Sequence, residues 1–375
     1  MPAKRGPLRL PKHEQTHMET LRPSDGAKSA PATSARRTTI KEVAKLAGVS
    51  LMTVSRAINY PEQLSAKTLA IVNEAIDATG YIPNRLAGSL SGSRTGQVAV
   101  LVPSLSNLVF SDLLNGMAYI LEPRGIQMMV GNYHYLQTKL AEQIPLFMGW
   151  SPDAMVIVGS VPASVSSLLR KNGLPVVETV GLVDNPFDCN VGISHQGAGA
   201  AMADYLMGMG YRRMACISAN AGLEYRTTTR ILGFCEYLTS AGYPLPPHIE
   251  LPCRSSIAAG RSAMKQLLDS GPLPEAVFCA NDDLAFGAMM ACTEAELRVP
   301  DDVGIAGFNA LDIALQSIPS ITTVKVDRYG IGVLSAQMIL GRLSGDIPRG
   351  ECRDVGYEII PGGSTVHKEQ PLPEG

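Results

Sequence analysis

The stretch IKEVAKLAGVSLMTVSRAIN, residues 40–59, decides how the N-terminal part of this chain folds. A Thr-x-x-Glu capping box that begins at Thr39 predicts a short helix ending at Ala47. The Gly-Val dipeptide after it predicts a tight turn, and Ser50 is a suitable N-cap for a second helix that runs to about Ile58. Apolar residues at helical spacing form one seam between the helices; they are Val43, Ala44, Ala47, Val49, Val54 and Ile58. The pattern predicts a helix-turn-helix.

The outer face of the second helix carries side chains suited to reading DNA in the major groove. Arg56 can make a bidentate contact with guanine, which is worth roughly 1–3 kcal/mol of discrimination between bases. Hydroxyl and amide side chains can contact phosphates and so fix the register. The candidate DNA contacts in this region are Thr39, Leu51, Met52, Thr53, Ser55, Arg56 and Asn59. The pattern leaves open an ordinary helical hairpin within an enzyme.

Charge is divided unevenly along the chain. Residues 1–94 hold 14 basic and 7 acidic residues, and the rest holds 18 basic and 27 acidic residues, although the net charge of the whole chain is only −2. A basic end fits phosphate binding, and a solvated basic tail is the alternative. Residues 1–36 are rich in Pro, Ser and Ala without hydrophobic periodicity, so we expect a disordered basic arm there.

Beyond residue 94 the pattern changes to short apolar runs that alternate with helical stretches. The strand-like runs cover residues 98–102, 127–130, 154–158, 176–177, 214–217, 276–279 and 303–306. Strands separated by crossover helices indicate parallel, doubly wound α/β sheets. Because these strands are too many for one compact sheet, we expect two similar lobes.

Composition argues against several classes of protein. No apolar run approaches the roughly 20 residues of a membrane-spanning helix, and no secretory signal precedes the motif, so we expect a cytoplasmic protein without a membrane partner. The seven cysteines include no C-x-x-C pair, so neither a disulfide framework nor a metal site is expected. The sequence also has no phosphate-binding glycine loop and no nucleophile elbow. We therefore expect no cofactor and no enzymatic activity.

The N-terminal region resembles the LacI/GalR family of bacterial transcriptional regulators. The similarity continues through a third helix, predicted from an N-cap at Ser65 to about Thr79, and on to GYIPNRLAGSL, residues 80–90. In this family the last stretch is a hinge helix that folds on operator DNA, where paired leucines open the minor groove. The resemblance places Leu90 at that position and adds Asn84 and Arg85 as candidate DNA contacts. A simple linker role for Leu90 is the alternative.

The resemblance extends from residue 38 to about residue 364 and implies a core like that of periplasmic sugar-binding proteins. Such a core has two lobes joined by three crossovers, which matching positions place near Ser194, Val326 and Leu343. The predicted domains are an arm (1–36), an all-α helix-turn-helix domain (37–82), a hinge and linker (83–95), an α/β two-lobed core (96–365) and a tail (366–375). Lobe 1 comprises about 96–194 and 327–343, and lobe 2 about 195–326 and 344–365.

Several polar residues follow the predicted strands, where a ligand cleft lies in such a fold. The candidate effector-binding residues are Ser104, Asn107, Phe110, Glu178, Arg230, Arg254, Asn281, Asp282 and Asn309. Arg230 is favoured most, because its planar fork matches carboxylates and paired hydroxyls. Asp282 is expected both to cap a helix and to contact the ligand, whereas Asp283 is open to a purely capping role. Glu178 could instead be a solvated loop charge.

Stretches 102–110, 279–285, 299–303, 306–308 and 361–364 most resemble the gluconate-utilisation repressor branch. This implies a sugar-acid effector of the gluconate or ketogluconate type, with a neutral or phosphorylated sugar as the alternative. The sequence departs from the family at the first crossover, where residues 194–199 read SHQGAG rather than Asp-Asn-x-x-Ala-Ala. His195 has no second metal ligand at suitable spacing, so we expect it to form hydrogen bonds at the crossover.

The resemblance implies a homodimeric repressor on pseudo-palindromic double-stranded operator DNA. The tail lacks the leucine heptad by which tetrameric members of the family assemble. A solute-binding protein of a transporter is a less favoured alternative, because of the helix-turn-helix and the missing signal sequence.

Overall fold

The computed structural model describes residues 38–82, 94–219 and 224–367. These residues fall into two compact units, residues 38–82 and residues 94–367. The predicted arm, most of the predicted hinge and the end of the predicted tail lie outside the described residues.

The N-terminal unit consists of the three predicted helices. They are α1 (Ile40–Ala47), α2 (Leu51–Asn59) and α3 (Ala66–Thr79), with a short 3₁₀ turn at Pro61–Gln63. Each helix contributes one fully buried valine to a common core, namely Val43, Val54 and Val72. A core this small depends on its helix ends being well capped.

The caps are those that the sequence predicts. The Glu42 carboxylate accepts a hydrogen bond from the Thr39 backbone N–H at 2.7 Å, and Ser50 Oγ accepts one from the Thr53 N–H at 3.1 Å. Gly80 ends α3 in the left-handed conformation, with φ of 62°, which glycine adopts without steric cost.

The second unit is built on two six-stranded sheets. The strands are β1 (Gln97–Val102), β2 (Gln127–Asn132), β3 (Ala154–Val158), β4 (Val176–Gly181), β5 (Cys189–Ile193), β6 (Met214–Ala219), β7 (His248–Leu251), β8 (Ala276–Cys279), β9 (Gly304–Asn309), β10 (Thr322–Lys325), β11 (Cys352–Asp354) and β12 (Glu358–Ile360). The sheet of lobe 1 has the order β11-β5-β4-β3-β1-β2, and that of lobe 2 the order β12-β10-β9-β8-β6-β7. All pairs are parallel except β10 with β12, so the predicted pair of doubly wound lobes is present.

Helices cover both faces of each sheet, which is why the central strands are apolar on both sides. The helices are α4 (Leu108–Leu121), α5 (Gln137–Met148), α6 (Ala163–Asn172), α7 (His195–Gly208), α8 (Tyr225–Ser240), α9 (Ile257–Asp269), α10 (Asp282–Glu294), α11 (Asp312–Leu315) and α12 (Arg328–Ser344). In lobe 1, Val100 of β1 pairs with Val130 and Val156, and it is completely buried.

The chain crosses between the lobes three times. It passes from β5 to α7, returns from β10 to α12, and passes again from β11 to β12. The prediction of the third crossover near Leu343 was wrong, because β11 still pairs with β5 of lobe 1. An ion pair of 3.0 Å between Arg342 and the buried Asp188 holds the end of α12 on lobe 1. Residues 344–354 therefore belong to lobe 1, and the chain crosses within residues 355–357.

Three helix pairs of the core pack with their backbones in close contact through glycine. A Cβ on Gly199 of α7 would lie 2.0 Å from the Arg230 carbonyl oxygen, and one on Gly233 of α8 would lie 2.1 Å from that of Gln196. The same reciprocal arrangement joins α4 to α12 through Gly116 and Gly332, and α9 to α10 through Gly260 and Gly287. Any larger residue at these positions must push the helices apart.

Gly332→Ala tests this packing away from the cavity. Its Cβ would lie 2.1 Å from the Leu113 carbonyl oxygen, so we expect the free energy of unfolding to fall by about 1–3 kcal/mol. Gly208→Ala is the matched control, because a Cβ on this helical glycine meets nothing within 4 Å and should leave stability unchanged or raise it by up to about 1 kcal/mol. Urea unfolding of both variants measures the difference, and equal midpoints would contradict the packing argument.

Candidate functional site

A cavity lies between the two lobes at the carboxyl ends of their strands. Lobe 1 contributes Asn107, Phe110 and Val180, and lobe 2 contributes several side chains that include Arg230, Asn281 and Phe308. The first two crossovers also reach the cavity, through His195 and Arg328. A ligand bound here contacts both lobes and the segments that join them.

Arg230 and His195 form the centre of the cavity wall. Arg230 Nε donates to His195 Nδ1 at 3.1 Å, and Arg230 Nη1 donates to the Ala280 carbonyl at 2.8 Å. The guanidinium also lies 3.7 Å from the centroid of the Phe308 ring, a cation–π contact. Burial lowers the pKa of Arg230 to about 10, which still leaves it charged at neutral pH. These contacts fix the orientation of the guanidinium.

His195 is held neutral by its surroundings. Burial, and then the charges of Arg230 and Arg226, lower the pKa of its ring well below the usual value of 6.5. Because a guanidinium N–H can only donate, Nδ1 must accept, and the ring proton is therefore on Nε2. No described residue accepts a hydrogen bond from this nitrogen, although it is buried.

Arg226 lies one helical turn before Arg230 on α8. Its Nε and Nη2 donate to Glu224 Oε1 at 3.1 and 2.7 Å, and its guanidinium lies 5.5 Å from the ring centroid of Phe110 in lobe 1. Burial opposes the charged form, but Glu224 and nearby tyrosines raise the pKa of Arg226 overall. Nη1 is buried without a hydrogen-bond partner among the described residues.

Arg328 links the lobes at the second crossover. Its Nε and Nη2 contact Asp112 of α4 in lobe 1 at 3.0 and 2.9 Å, and its Nη1 donates to the Asn309 carbonyl in lobe 2. Asn309 has a φ of 118°, which non-glycine residues rarely adopt. Arg328 therefore ties a strained loop of lobe 2 to a helix of lobe 1.

A second, polar cavity shares Asn107 and Ser255 with the first. Its other lining residues are Ser104, Ser106, Tyr135, Arg254 and Asp283. Asn107 caps α4 by accepting from the Val109 N–H, and its amide donates to Tyr135 at 3.3 Å. The two cavities together bring most of the predicted effector residues into one region; these are Ser104, Asn107, Phe110, Arg230, Arg254, Asn281 and Asn309.

Glu178 and Asp282 do not line either of these cavities. The buried Glu178 carboxylate accepts from the Val161 and Phe187 N–H groups at 2.6 and 2.7 Å, so the alternative of a solvated loop charge is wrong. The completely buried Asp282 carboxylate accepts from the Leu311 N–H and the Thr323 hydroxyl. Internal hydrogen bonds engage both carboxylates, and a contact of either one with the effector stays a prediction.

Asn281, rather than Asp282, is the N-cap of α10. Its Oδ1 accepts from the Leu284 N–H at 3.0 Å, and its amide donates to Ser255. Burial raises the pKa of Asp282 to about 6, against the lowering effect of its hydrogen bonds. Asp282 thus supports the loop that carries Asn309.

Arg226 and Arg328 line the cavity but were not predicted from the sequence, and His195 was expected only to form hydrogen bonds at the crossover. One signal was available for Arg226, because it precedes Arg230 by four residues and so shares its helix face. No comparable signal exists for Arg328 or His195, since the lobes bring them to the cavity from distant parts of the sequence.

The second helix of the N-terminal unit presents the predicted DNA-contacting side chains. Leu51 and Met52 are 44% and 64% exposed, and Arg56 is also exposed. Thr53 and Ser55 are half-buried, and the exposed Asn59 donates its amide to the Ser55 carbonyl at 3.0 Å. Thr39, the N-cap of α1, is exposed as well. The other predicted contacts, Asn84, Arg85 and Leu90, lie outside the described residues.

Across the described ranges, no group of three or more His, Cys, Asp or Glu side chains is placed to hold a metal ion. No helix in these ranges is long and apolar enough to cross a membrane.

Two family models match the chain. Bacterial regulatory proteins of the lacI family match residues 39–84, and the periplasmic binding protein-like domain matches residues 203–365. The HTH-type transcriptional regulator GntR of Pseudomonas aeruginosa is 34% identical over 332 residues, which cover 88% of this chain and 96% of the relative. The chain belongs to the LacI family. It is a transcriptional repressor of that family and not an enzyme.

Solved structures of LacI-family regulators have the same fold. A regulator from Silicibacter pomeroyi is 32% identical, with a TM-score of 0.82 over 88% of this chain and 100% of the other. The regulator GntR from Chromobacterium violaceum is 33% identical, with a TM-score of 0.67 over 72% of this chain and 99% of the other.

The buried His195 predicts a pH dependence of stability. Its pKa is lowered in the folded protein, so below pH 6.5 the unfolded chain binds a proton that the folded protein does not. The free energy of unfolding should therefore decrease as pH falls below 6.5, by up to about 1.4 kcal/mol per pH unit from this group. Urea unfolding between about pH 7.5 and pH 5.5 measures the slope.

His195→Asn should make that slope shallower, because it removes the titrating group. The exposed His134→Asn is the control and should keep the wild-type slope. Identical slopes for wild type and His195→Asn would contradict the assignment.

Proposed function

We propose that this repressor is a homodimer that binds a pseudo-palindromic operator in the bacterial cytoplasm and is released by a sugar acid of the gluconate or ketogluconate type. The observation that carries the proposal is the charge of the cavity: its lining holds three arginines, Arg226, Arg230 and Arg328, and one glutamate, Glu224. The GntR regulators among its relatives, such as that of P. aeruginosa, support the same branch of the family.

The charge of Arg230 favours an anionic effector. Arg226 is paired with Glu224 and Arg328 with Asp112, whereas no described carboxylate lies within ion-pair distance of Arg230. Burial lowers the pKa of Arg230 although Glu224 and Asp282 oppose that effect, so its charge is costly and an anionic ligand offsets part of that cost. A neutral sugar would not offset it.

The second cavity favours a ligand that also carries hydroxyl groups. Four hydroxyl side chains line it, from Ser104, Ser106, Tyr135 and Ser255. Hydroxyl groups both donate and accept, so they suit a polyol chain. A carboxylate joined to such a chain is a sugar acid.

On the DNA side, we propose that α2 enters the major groove with Arg56 at a base edge. A two-fold dimer then presents two such helices to two half-sites, which is why the operator should be pseudo-palindromic. Asn84, Arg85 and Leu90 are proposed to add contacts where the N-terminal unit joins the core. By linkage, effector and operator change each other's affinity by the same factor.

The core alone would also serve a solute-binding protein of a transporter, the class that the sequence left as a less favoured alternative. The exposed face of α2 favours DNA binding instead. A gel shift with the DNA upstream of the chain's own gene separates the two, and the absence of a specific complex under every ligand condition would reject the repressor.

Arg56→Ala should reduce discrimination between operator and mutated operator by roughly 1–3 kcal/mol, because it removes the bidentate base contact. Fluorescence anisotropy with both DNAs measures the change. Effector binding to the same variant should remain at the wild-type level, and the exposed Arg261→Ala in lobe 2 is the control. Equal loss of both activities would show misfolding rather than a lost DNA contact.

Calorimetry of the full chain tests the effector class. We expect saturable binding of gluconate or 2-ketogluconate, at least about tenfold tighter than glucose or sorbitol, since tenfold corresponds to about 1.4 kcal/mol. Binding only of a neutral or phosphorylated sugar would reject the sugar acid while leaving the repressor intact.

A further inference from the structure

We propose that the effector carboxylate is bound by Arg226 Nη1 and His195 Nε2, and that Arg230 is a positioning residue that orients His195. This proposal rests on the sugar-acid function above and assigns the anionic end of the ligand to two residues. It differs from the expectation from sequence, in which Arg230 binds the carboxylate.

Neither edge of the Arg230 guanidinium has two unengaged nitrogens. A bidentate carboxylate uses two neighbouring guanidinium nitrogens, either Nε with Nη2 or Nη1 with Nη2. Arg230 Nε is bonded to His195 and Nη1 to the Ala280 carbonyl, and the contact with Phe308 favours this orientation of the plane. Arg226 is restricted in the same way, because Glu224 engages its Nε and Nη2, so Arg226 can offer a carboxylate a single contact through Nη1.

Two buried nitrogens at the cavity lack hydrogen-bond partners. Within the described residues, four buried side-chain atoms have no such partner. Two are amide oxygens, on Gln97 and Gln143, and the two nitrogens are His195 Nε2 and Arg226 Nη1. Both residues that carry these nitrogens line the same cavity. Buried donors without partners are rare, and two at one cavity indicate a ligand that accepts hydrogen bonds from both.

Arg230 determines which nitrogen of His195 carries the ring proton. Because Arg230 donates to Nδ1, the neutral ring presents Nε2–H as a donor. The Val180 backbone favours a protonated ring, but no described residue, Val180 included, accepts from Nε2 with the geometry of a full hydrogen bond. The donor is therefore available to a carboxylate oxygen.

Arg226 supplies an N–H donor for this contact. Glu224 occupies Nε and Nη2 of Arg226, and its pairing keeps the guanidinium in place. Arg230, which is bonded to His195, adds positive potential without giving up its own hydrogen bonds. Together these groups recognise a carboxylate, and they leave the hydroxyl-rich second cavity for the rest of the ligand.

The test is calorimetry of the full chain with gluconate, its neutral amide gluconamide, and sorbitol. The carboxylate preference is the ratio of the gluconamide Kd to the gluconate Kd. Wild type should show a preference of about tenfold or more, as expected for charge-assisted hydrogen bonds. If wild type binds none of the sugar acids, the proposed function itself fails.

The decisive variant is Glu224→Gln combined with Arg226→Gln, because removing both partners leaves no unpaired buried charge. In this double variant the carboxylate preference should fall to a ratio of about three or less, while the affinity for gluconamide changes little. His195→Phe should also weaken gluconate binding, and His195→Gln, which restores a donor, should recover part of it. The His195 pair keeps the proposal testable if the double variant does not fold.

Arg230→Lys keeps the positive charge but removes the planar guanidinium that donates to His195 and to the Ala280 carbonyl. We expect it to retain most of the carboxylate preference, while the ¹⁵N signals of His195 change from a single Nε2–H tautomer to a mixture. If the carboxylate preference is lost in Arg230→Lys and kept in the double variant, the carboxylate binds Arg230 and the proposal is overturned. The sugar-acid function would not be affected by that result.

Discussion

The cavity of this repressor depends on the close backbone contact between α7 and α8. Gly199 and Gly233 allow it, because a side chain at either position would meet a carbonyl of the other helix. His195 is the first residue of α7 and Arg230 lies in the second turn of α8, so the contact sets their side chains next to each other. The hydrogen bond between them makes Nδ1 of His195 the acceptor and Nε2 the protonated nitrogen.

Around this pair, charge and hydrogen bonding connect both lobes to one cavity. Arg226 of lobe 2 stacks on Phe110 of lobe 1, and Arg328 joins Asp112 of lobe 1 to the Asn309 loop of lobe 2. An anion bound among these arginines contacts groups from each lobe. Its binding energy therefore depends on how the lobes are placed, which is the condition for coupling an effector to a distant DNA site.

Local signals in the sequence predicted much of the fold. The capping box at Thr39 and the N-cap at Ser50 are short-range features, and the structure has both. The continuous apolar strands were also predicted, whereas β5, β7, β10, β11 and β12 were not. Most of these are short, and β11 is fully exposed, so it carries no apolar pattern. Missing β11 is what misplaced the third crossover.

The family, the two lobes and the position of polar residues after the strands can be read from the sequence alone, because they follow from local pattern and from resemblance. Which of those residues line the cavity depends on the folded chain. The carboxylates of Glu178 and Asp282 accept hydrogen bonds from backbone N–H groups 9 to 29 residues away in sequence, and so they stabilise loops of the core. His195 and Arg226 keep a donor free. Such differences depend on partners that only folding brings together, and no local pattern records them.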